Sequence, residues 1–196
     1  MDVYFATANP NKVKEVQSVL PAGINLKSIR ELGVDEDIPE TGETIADNSL
    51  QKARYVYDRY GVACIADDTG LEIEALNNEP GVYSARYAGP EKNPEANMSL
   101  VLEKLKDKEN RSARFVTVIS LIDEKGQVSQ FEGIVQGKIL QKKKGTGGFG
   151  YDPIFLPDGY DQTFAEMSLS EKNHISHRGQ AIRQFTAYIQ RFFHES

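Results

Sequence analysis

The first place in this chain where chemistry is within reach is a pair of adjacent aspartates at the end of an apolar run, where Cys64-Ile65-Ala66 leads into Asp67-Asp68-Thr69-Gly70. A strand fixes the backbone while a following turn leaves side chains free, so this pattern suits carboxylates offered to a metal ion at the edge of a sheet. The same residue types are ordinary turn formers, and taken alone the polar turn is the commoner reading. The other reading gains weight from its company. Glu40 sits in an acidic, irregular passage, residues 35–43, shortly before a helix, and a helix and a strand separate it from Asp68. Such a unit can bring both acids to one end of a sheet. Lys12 lies one turn into a helix that follows the first strand, where unpaired N–H groups and the positive end of the helix dipole suit a phosphate; a capped surface helix with a solvated lysine fits this segment equally well.

Two later stretches carry further candidates. Residues 141–152 hold three lysines followed by Gly145, Gly147, Gly148 and Gly150, with Phe149, Tyr151 and Asp152 among and after them. This is not a Walker A loop, in which the lysine follows the glycines and opens a helix; here the lysines come first and Pro153 closes the run. Glycines that admit close backbone approach, an aromatic stacking face and an acceptor acid instead suit a wall against a flat ligand; a flexible loop with a core phenylalanine fits as well. Lys172, Ser176, His177 and Arg178 then place four donors in seven residues just before or at the start of the last helix.

The elements that must position these residues are legible from periodicity and punctuation. Residues 3–7 read as a strand, and Asn9 as N-cap with Pro10 at the first helical position opens a helix to about Leu20. A strand is expected near residues 26–29, and a helix over 44–60 with Ile45, Ser49, Leu50, Ala53, Val56, Tyr57 and Tyr60 on its inner face. Beyond the aspartates, residues 71–76 alternate like a half-exposed strand. Asn93-Pro94 opens a helix, and residues 113–122 and 128–140 form a long antiparallel hairpin, the spine of a second lobe, with bends at Gly133 and Gly137. A short strand at 154–156 and a closing helix with Ala181, Ile182, Phe185, Ile189 and Phe192 inside complete the chain.

Composition excludes several classes. A net charge of −6 argues against broad binding of nucleic acid, though not against a small phosphorylated ligand. No apolar run approaches the roughly 20 residues of a membrane span, the first residues lack the pattern of a signal peptide, and a cytoplasmic location is expected. The single cysteine, Cys64, excludes an internal disulfide and reads as an inert core residue.

Together the segments Thr7 to Lys12, Glu40-Thr41-Gly42, Asn48 to Ala53, Ala66 to Gly70, Pro80 to Gly89, Gly147 to Asp152 and Glu171 to Arg178 resemble, in order and over nearly the whole chain, the inosine triphosphate pyrophosphatase family of the Ham1/RdgB type. The resemblance implies a single α/β nucleoside triphosphate pyrophosphatase domain over residues 1–196, with a long mixed central sheet flanked by helices and two lobes around a central substrate cleft. It also implies a homodimer and Mg²⁺-dependent hydrolysis of ITP, dITP and XTP to monophosphate and pyrophosphate. Carried onto this sequence, it gives Thr7, Asn9, Lys12, Lys52 and Lys172 to the triphosphate and Glu40 and Asp68 to Mg²⁺. It also implies Asp68 as the proton acceptor for water, with Thr69 touching substrate and Asp67 a less defined partner, and a base bounded by Phe149, Gly150, Tyr151 and Asp152 with His177 and Arg178 reaching its six-position. Pro10-Asn11 stands where the family is often Gly-rich. The rival readings are a Maf-type hydrolase of modified nucleotides, a nucleotide sensor without catalysis, and an RNA-binding module using Lys142 to Lys144. Glu40 together with Asp68 favours catalysis, and the Ser-His-Arg run favours the inosine triphosphate type.

Overall fold

Three parallel strands and the helices between them fix where the first candidates meet. A computed structural model describes residues 1–194. Strand β1 (Asp2–Phe5) leads into α1 (Pro10–Gln17) and then to β2 (Asn25–Ser28), parallel to β1 on one side; α2 (Ile45–Tyr60) carries the chain back to β3 (Cys64–Ile73), parallel to β1 on the other. Right-handed crossovers that set out in opposite directions leave their helices on opposite faces of the sheet.

The core shows this division. Val16 of α1 packs with Val3, Phe5 and Ile65, while Ala53 and Val56 of α2 pack with Ala6, Cys64 and Ala66. Successive strand residues point to opposite faces, so β3 offers Ile65 to the α1 side and Cys64 and Ala66 to the α2 side. The sheet continues in the order β2-β1-β3-β5-β6-β7, with β5 Ser112–Ile122, β6 Val128–Ile139 and β7 Phe155–Pro157, while the two-residue β4 (Glu79–Pro80) pairs antiparallel with β3. β5 and β6 form the expected antiparallel hairpin: Asp123 N–H donates to Gln127 O at one end (3.0 Å) and Ile139 N–H to Arg111 O at the other (2.9 Å).

The chain divides into two compact units, one of Met1–Asp68, Val118–Glu132 and Ala181–Ser196, the other of Thr69–Thr117 and Gly133–Gln180. The first holds the two clusters just described, one of them completed by Ala181, Ile182, Phe185 and Ile189 of α5 (His177–His194). The second is built on Leu71, Ile73, Phe115, Phe155 and Phe164, covered by Met98, Val101 and Leu105 from α3 (Pro94–Lys104) and its end. Asn93 caps α3 by accepting from Glu95 N–H and Ala96 N–H, as Asn-Pro suggests. The remaining helix, α4 (Leu169–Ile175), ends immediately before α5. Among the described residues no helix is long and apolar enough to cross a membrane.

Tyr60 and Phe192, expected on inner helix faces, lie at the ends of α2 and α5 and are exposed. A larger expectation also needs correction. Asp67-Asp68-Thr69-Gly70 is not a turn: β3 runs on through all four residues to Ile73, with Asp67 buried. β5 neighbours β3 on one side, and on the other β3 pairs with β1 at Cys64 and Ile65 and with β4 at Glu72 and Ile73, so the strand is held before and after this stretch and the local preferences of Asp and Gly are outweighed. The half-exposed strand expected over 71–76 is the end of that same strand, with Leu71 and Ile73 buried, followed by a 3-10 turn over Glu74–Leu76.

Candidate functional site

The acids lie at the topological switch point, where α1 and α2 leave the sheet in opposite directions. Strand alternation decides which helix each acid meets. Asp67 shares the parity of Ile65 and meets α1, where Lys12 Nζ lies 3.4 and 3.3 Å from its two carboxylate oxygens. Asp68 shares the parity of Ala66 and meets α2, where Lys52 Nζ lies 4.0 Å from its Oδ1. Adjacent residues of one strand thus serve opposite faces. Before α1, Thr7 Oγ1 accepts from Asn9 N–H (3.2 Å), and the Asn9 carbonyl takes the first helical bond from Val13 N–H. Thr7, Asn9 and Lys12 therefore stand at one helix start, beside the carboxyl end of β1.

Glu40 completes the α2 side, its Oε1 lying 3.1 Å from Lys52 Nζ. The loop carrying it is bound to α2: Thr41 N–H donates to Gln51 Oε1 (2.8 Å), Gln51 Nε2 donates back to Thr41 Oγ1 (3.0 Å), and Gly42 N–H donates to Asn48 Oδ1 (2.7 Å). Gly42 has to be a glycine, since a Cβ would stand 2.6 Å from the Asp47 Cβ. Burial of the Lys52 ammonium pulls its pKa down, but Asp67, Asp68 and Glu40 together outweigh that and hold it above the usual lysine value. Among the described residues no three carboxylate, imidazole or thiol groups gather into a metal cage. Two carboxylates sharing a lysine are what the first unit offers.

A buried hydroxyl network lies under these acids on the α2 side. Ser49 Oγ is 3.1 Å from Ala66 O, 3.0 Å from Val118 O and 2.9 Å from Ser120 Oγ, and Gln130 Nε2 donates to Ser120 Oγ (3.0 Å). It ties α2 to the carbonyl that immediately precedes Asp67.

The second unit gathers a different group. Asp152 and Lys172, both buried, form an ion pair at 2.6 Å, and Phe149 N–H donates to the same Asp152 oxygen at 3.0 Å. Lys172 Nζ lies 4.4 Å from the Phe149 ring centroid and Arg178 Cζ 5.5 Å, while the ring itself is 63% exposed. An exposed aromatic ring with two cations beside it offers a stacking face for a planar ligand and positive charge at its margin. Gly148, with φ +67°, lets the loop pass so close to Asp152 that a Cβ would overlap its carboxylate. His177 is stacked on Phe115 at 4.7 Å, and its Nδ1 has no hydrogen-bond partner. Burial, helped by Arg178 and Lys172, pushes its pKa down to about 3, so the ring is neutral. Gly133 backs onto it, where any Cβ would overlap the His177 carbonyl oxygen.

Other expected residues take structural parts. Tyr151 donates from its hydroxyl to Ser84 O (2.6 Å) and is buried, so burial drives its pKa up and the side chain anchors the loop. Ser176 accepts from Gly179 N–H (3.1 Å), capping α5 and placing His177 and Arg178 in its first turn. Thr69 Oγ1 is 2.7 Å from Thr117 Oγ1. Lys172 stands with Asp152 and Phe149, in a different unit from Lys12 and Lys52. Within the lysine run, Lys143 pairs with Glu95. Cys64 is buried with its thiol pushed up to about 12 by desolvation, and is inert. Sequence reasoning missed the Lys12–Asp67 and Lys172–Asp152 pairs, whose partners are far apart in the chain. The only local trace of the first is that lysine follows β1 where an acid ends the parallel part of β3.

Fold and site together define a mixed α/β protein with a lysine-paired carboxylate group at the switch point of its sheet. The sequence model of the Ham1 family matches residues 3–188, and the chain belongs to that family. A protein of Christiangramia forsetii described as dITP/XTP pyrophosphatase is 54% identical over 189 residues, which cover 96% of this chain and 99% of that one. The solved structure of the Staphylococcus aureus Ham1 protein superimposes with a TM-score of 0.93 at 40% identity, covering 97% of this chain and 98% of its own. A dITP/XTP pyrophosphatase from Mycobacterium abscessus gives a TM-score of 0.83 at 42% identity over 94% and 98% of the two chains.

Proposed function

We propose that this chain hydrolyses deaminated purine nucleoside triphosphates (dITP, XTP and ITP) to the monophosphate and pyrophosphate, cleansing the cytoplasmic nucleotide pool. The observation that carries this reading is the sharing of Lys52 by Glu40 and Asp68 beside the Lys12–Asp67 pair, in a chain nearly coextensive with relatives that are described as dITP/XTP pyrophosphatases. The triphosphate tail is taken by Thr7, Asn9, Lys12 and Lys52, and the base lies against Phe149. Lys172 holds Asp152 in place as an acceptor.

Glu40 and Asp68 are the residues to hold a divalent ion, and their donor chemistry fits Mg²⁺. That ion binds hard oxygens, commonly through one or two carboxylates, and completes its shell with water and substrate phosphates, so no third protein ligand is required. When bound, it neutralises charge on the phosphates and on the departing pyrophosphate. Asp68 accepts a proton from the water that attacks the α-phosphorus. A new P–O bond forms there as the bond to the α,β-bridging oxygen breaks, and the electron pair leaves with pyrophosphate, whose charge Lys12 and Lys52 stabilise.

A 6-keto purine presents an acceptor at O6 and a donor at N1. The neutral His177 ring and Arg178 supply donors, and Asp152 supplies the acceptor; adenine reverses both positions and leaves buried polar groups unpaired, which costs on the order of 10⁴-fold in kcat/KM. The protein works as a homodimer, on the family resemblance. The test is a panel of ITP, dITP, XTP, GTP and ATP with Mg²⁺, with phosphate and pyrophosphate measured separately. Pyrophosphate released from ITP, dITP and XTP with ATP inert is the expected result, and ATP turned over as well as ITP would refute the assignment of the base group.

A further inference from the structure

Lys52 occupies an odd position for a residue whose partner is a phosphate. Its ammonium is 3.1 Å from Glu40 Oε1 and 4.0 Å from Asp68 Oδ1, and these are the two carboxylates to which the proposed reaction assigns the divalent ion. The side chain is only 12% exposed, and the Glu40 loop is bound to the same helix by three hydrogen bonds, so the acid has little freedom to move off while the lysine stays. A cation already stands where a cation has to bind. Coulomb repulsion between a divalent ion and an ammonium about 4 Å apart weakens binding on the order of thirtyfold, even with the full screening of water.

Phosphates change the balance. A triphosphate arriving at the α1 and α2 starts brings several negative oxygens for Lys52 to pair with, and an ammonium on a flexible four-carbon stem can swing from carboxylate to phosphate without backbone movement. Its departure removes a competing cation from both carboxylates, while the phosphates contribute metal ligands of their own.

We propose that Lys52 is a built-in counter-cation that keeps the Glu40–Asp68 pair closed to a divalent ion until nucleotide phosphates draw its ammonium away, so that metal and nucleotide bind together and not metal first. This rests on the reading of the site as a triphosphate site. The arrangement would spare the free enzyme from holding a divalent ion in a geometry without substrate, and it makes nucleotide and metal affinities reciprocally coupled.

The test reads metal binding without turnover. Mn²⁺ is titrated into the full chain with no nucleotide, free ion being followed by electron paramagnetic resonance, for wild type, Lys52→Met, Lys52→Gln and Lys52→Arg. The two neutral variants should bind Mn²⁺ at least about tenfold more tightly than wild type, and Lys52→Arg, which keeps the charge, should remain weak. Adding Glu40→Gln to Lys52→Met should abolish the gain. In wild type a methylene analogue of ITP that resists hydrolysis should tighten Mn²⁺ by a similar factor. Measuring two neutral variants keeps the outcome independent of the folding of either. Equal Mn²⁺ affinity in wild type and both neutral variants would overturn the proposal, as would a gain that survives Glu40→Gln. The arm without nucleotide does not depend on which triphosphate is cleaved, so a failed nucleotide panel and a failed counter-cation are told apart.

Discussion

His177 shows how a single side chain can be read from its surroundings. Stacked on Phe115 and buried beside Arg178 and Lys172, it is a neutral ring whose pKa has fallen to about 3. In the unfolded chain the imidazole titrates near about 6.5, so below that pH the unfolded state takes up a proton that the folded state refuses. The folded pKa is the depressed one; the associated stability is fully present above about 6.5 and is lost as the pH falls toward 3. Thermal unfolding at a series of pH values from 7 to 4 should show Tm falling, and His177→Gln should make the fall shallower. Identical slopes in the two proteins would mean that the histidine is protonated in the native state. The same neutrality bears on the proposed chemistry: in that reading His177 would meet O6 with an N–H donor of a neutral ring, and Arg178 alone would bring charge.

At the scale of elements, the acids depend on what holds β3. Ser49 reaches from α2 to the carbonyls of Ala66 and Val118, and Ser120 and Gln130 extend that chain of donors. Buried networks of this kind are costly when incomplete. Ser49→Ala should lower stability by about 1–3 kcal/mol in urea unfolding, the cost of leaving a buried carbonyl without its donor. Paired with Ser120→Ala in a double-mutant cycle, the losses should be less than additive, whereas strict additivity would show that the two hydroxyls are not one network. None of this was visible in the sequence, where Ser49 counts only as one more residue on the inner face of a helix. Caps and turns were legible, because Asn93-Pro94 and residues 123–127 act through neighbours in the chain. The extension of β3 through Asp67 to Ile73 was not, since it depends on pairing with strands distant in sequence. Phe149 and Asp152 stood out as a loop of unusual composition, but the lysine that neutralises Asp152 lies 20 residues further on and carries no local mark.

At the scale of the whole molecule, a doubly wound order and a strict alternation along one strand distribute the work. Asp67 is sent to α1 with Lys12 and Asp68 to α2 with Lys52 and Glu40, while the second unit keeps the aromatic ring, Asp152, Lys172, His177 and Arg178. The central claim is that water, relieved of its proton by Asp68, attacks the α-phosphorus and releases pyrophosphate intact. Hydrolysis of dITP in ¹⁸O-labelled water, with both products examined by mass spectrometry, tests it most directly. The label should appear in dIMP and not in pyrophosphate; label in pyrophosphate, or stepwise release of single phosphates, would contradict the account.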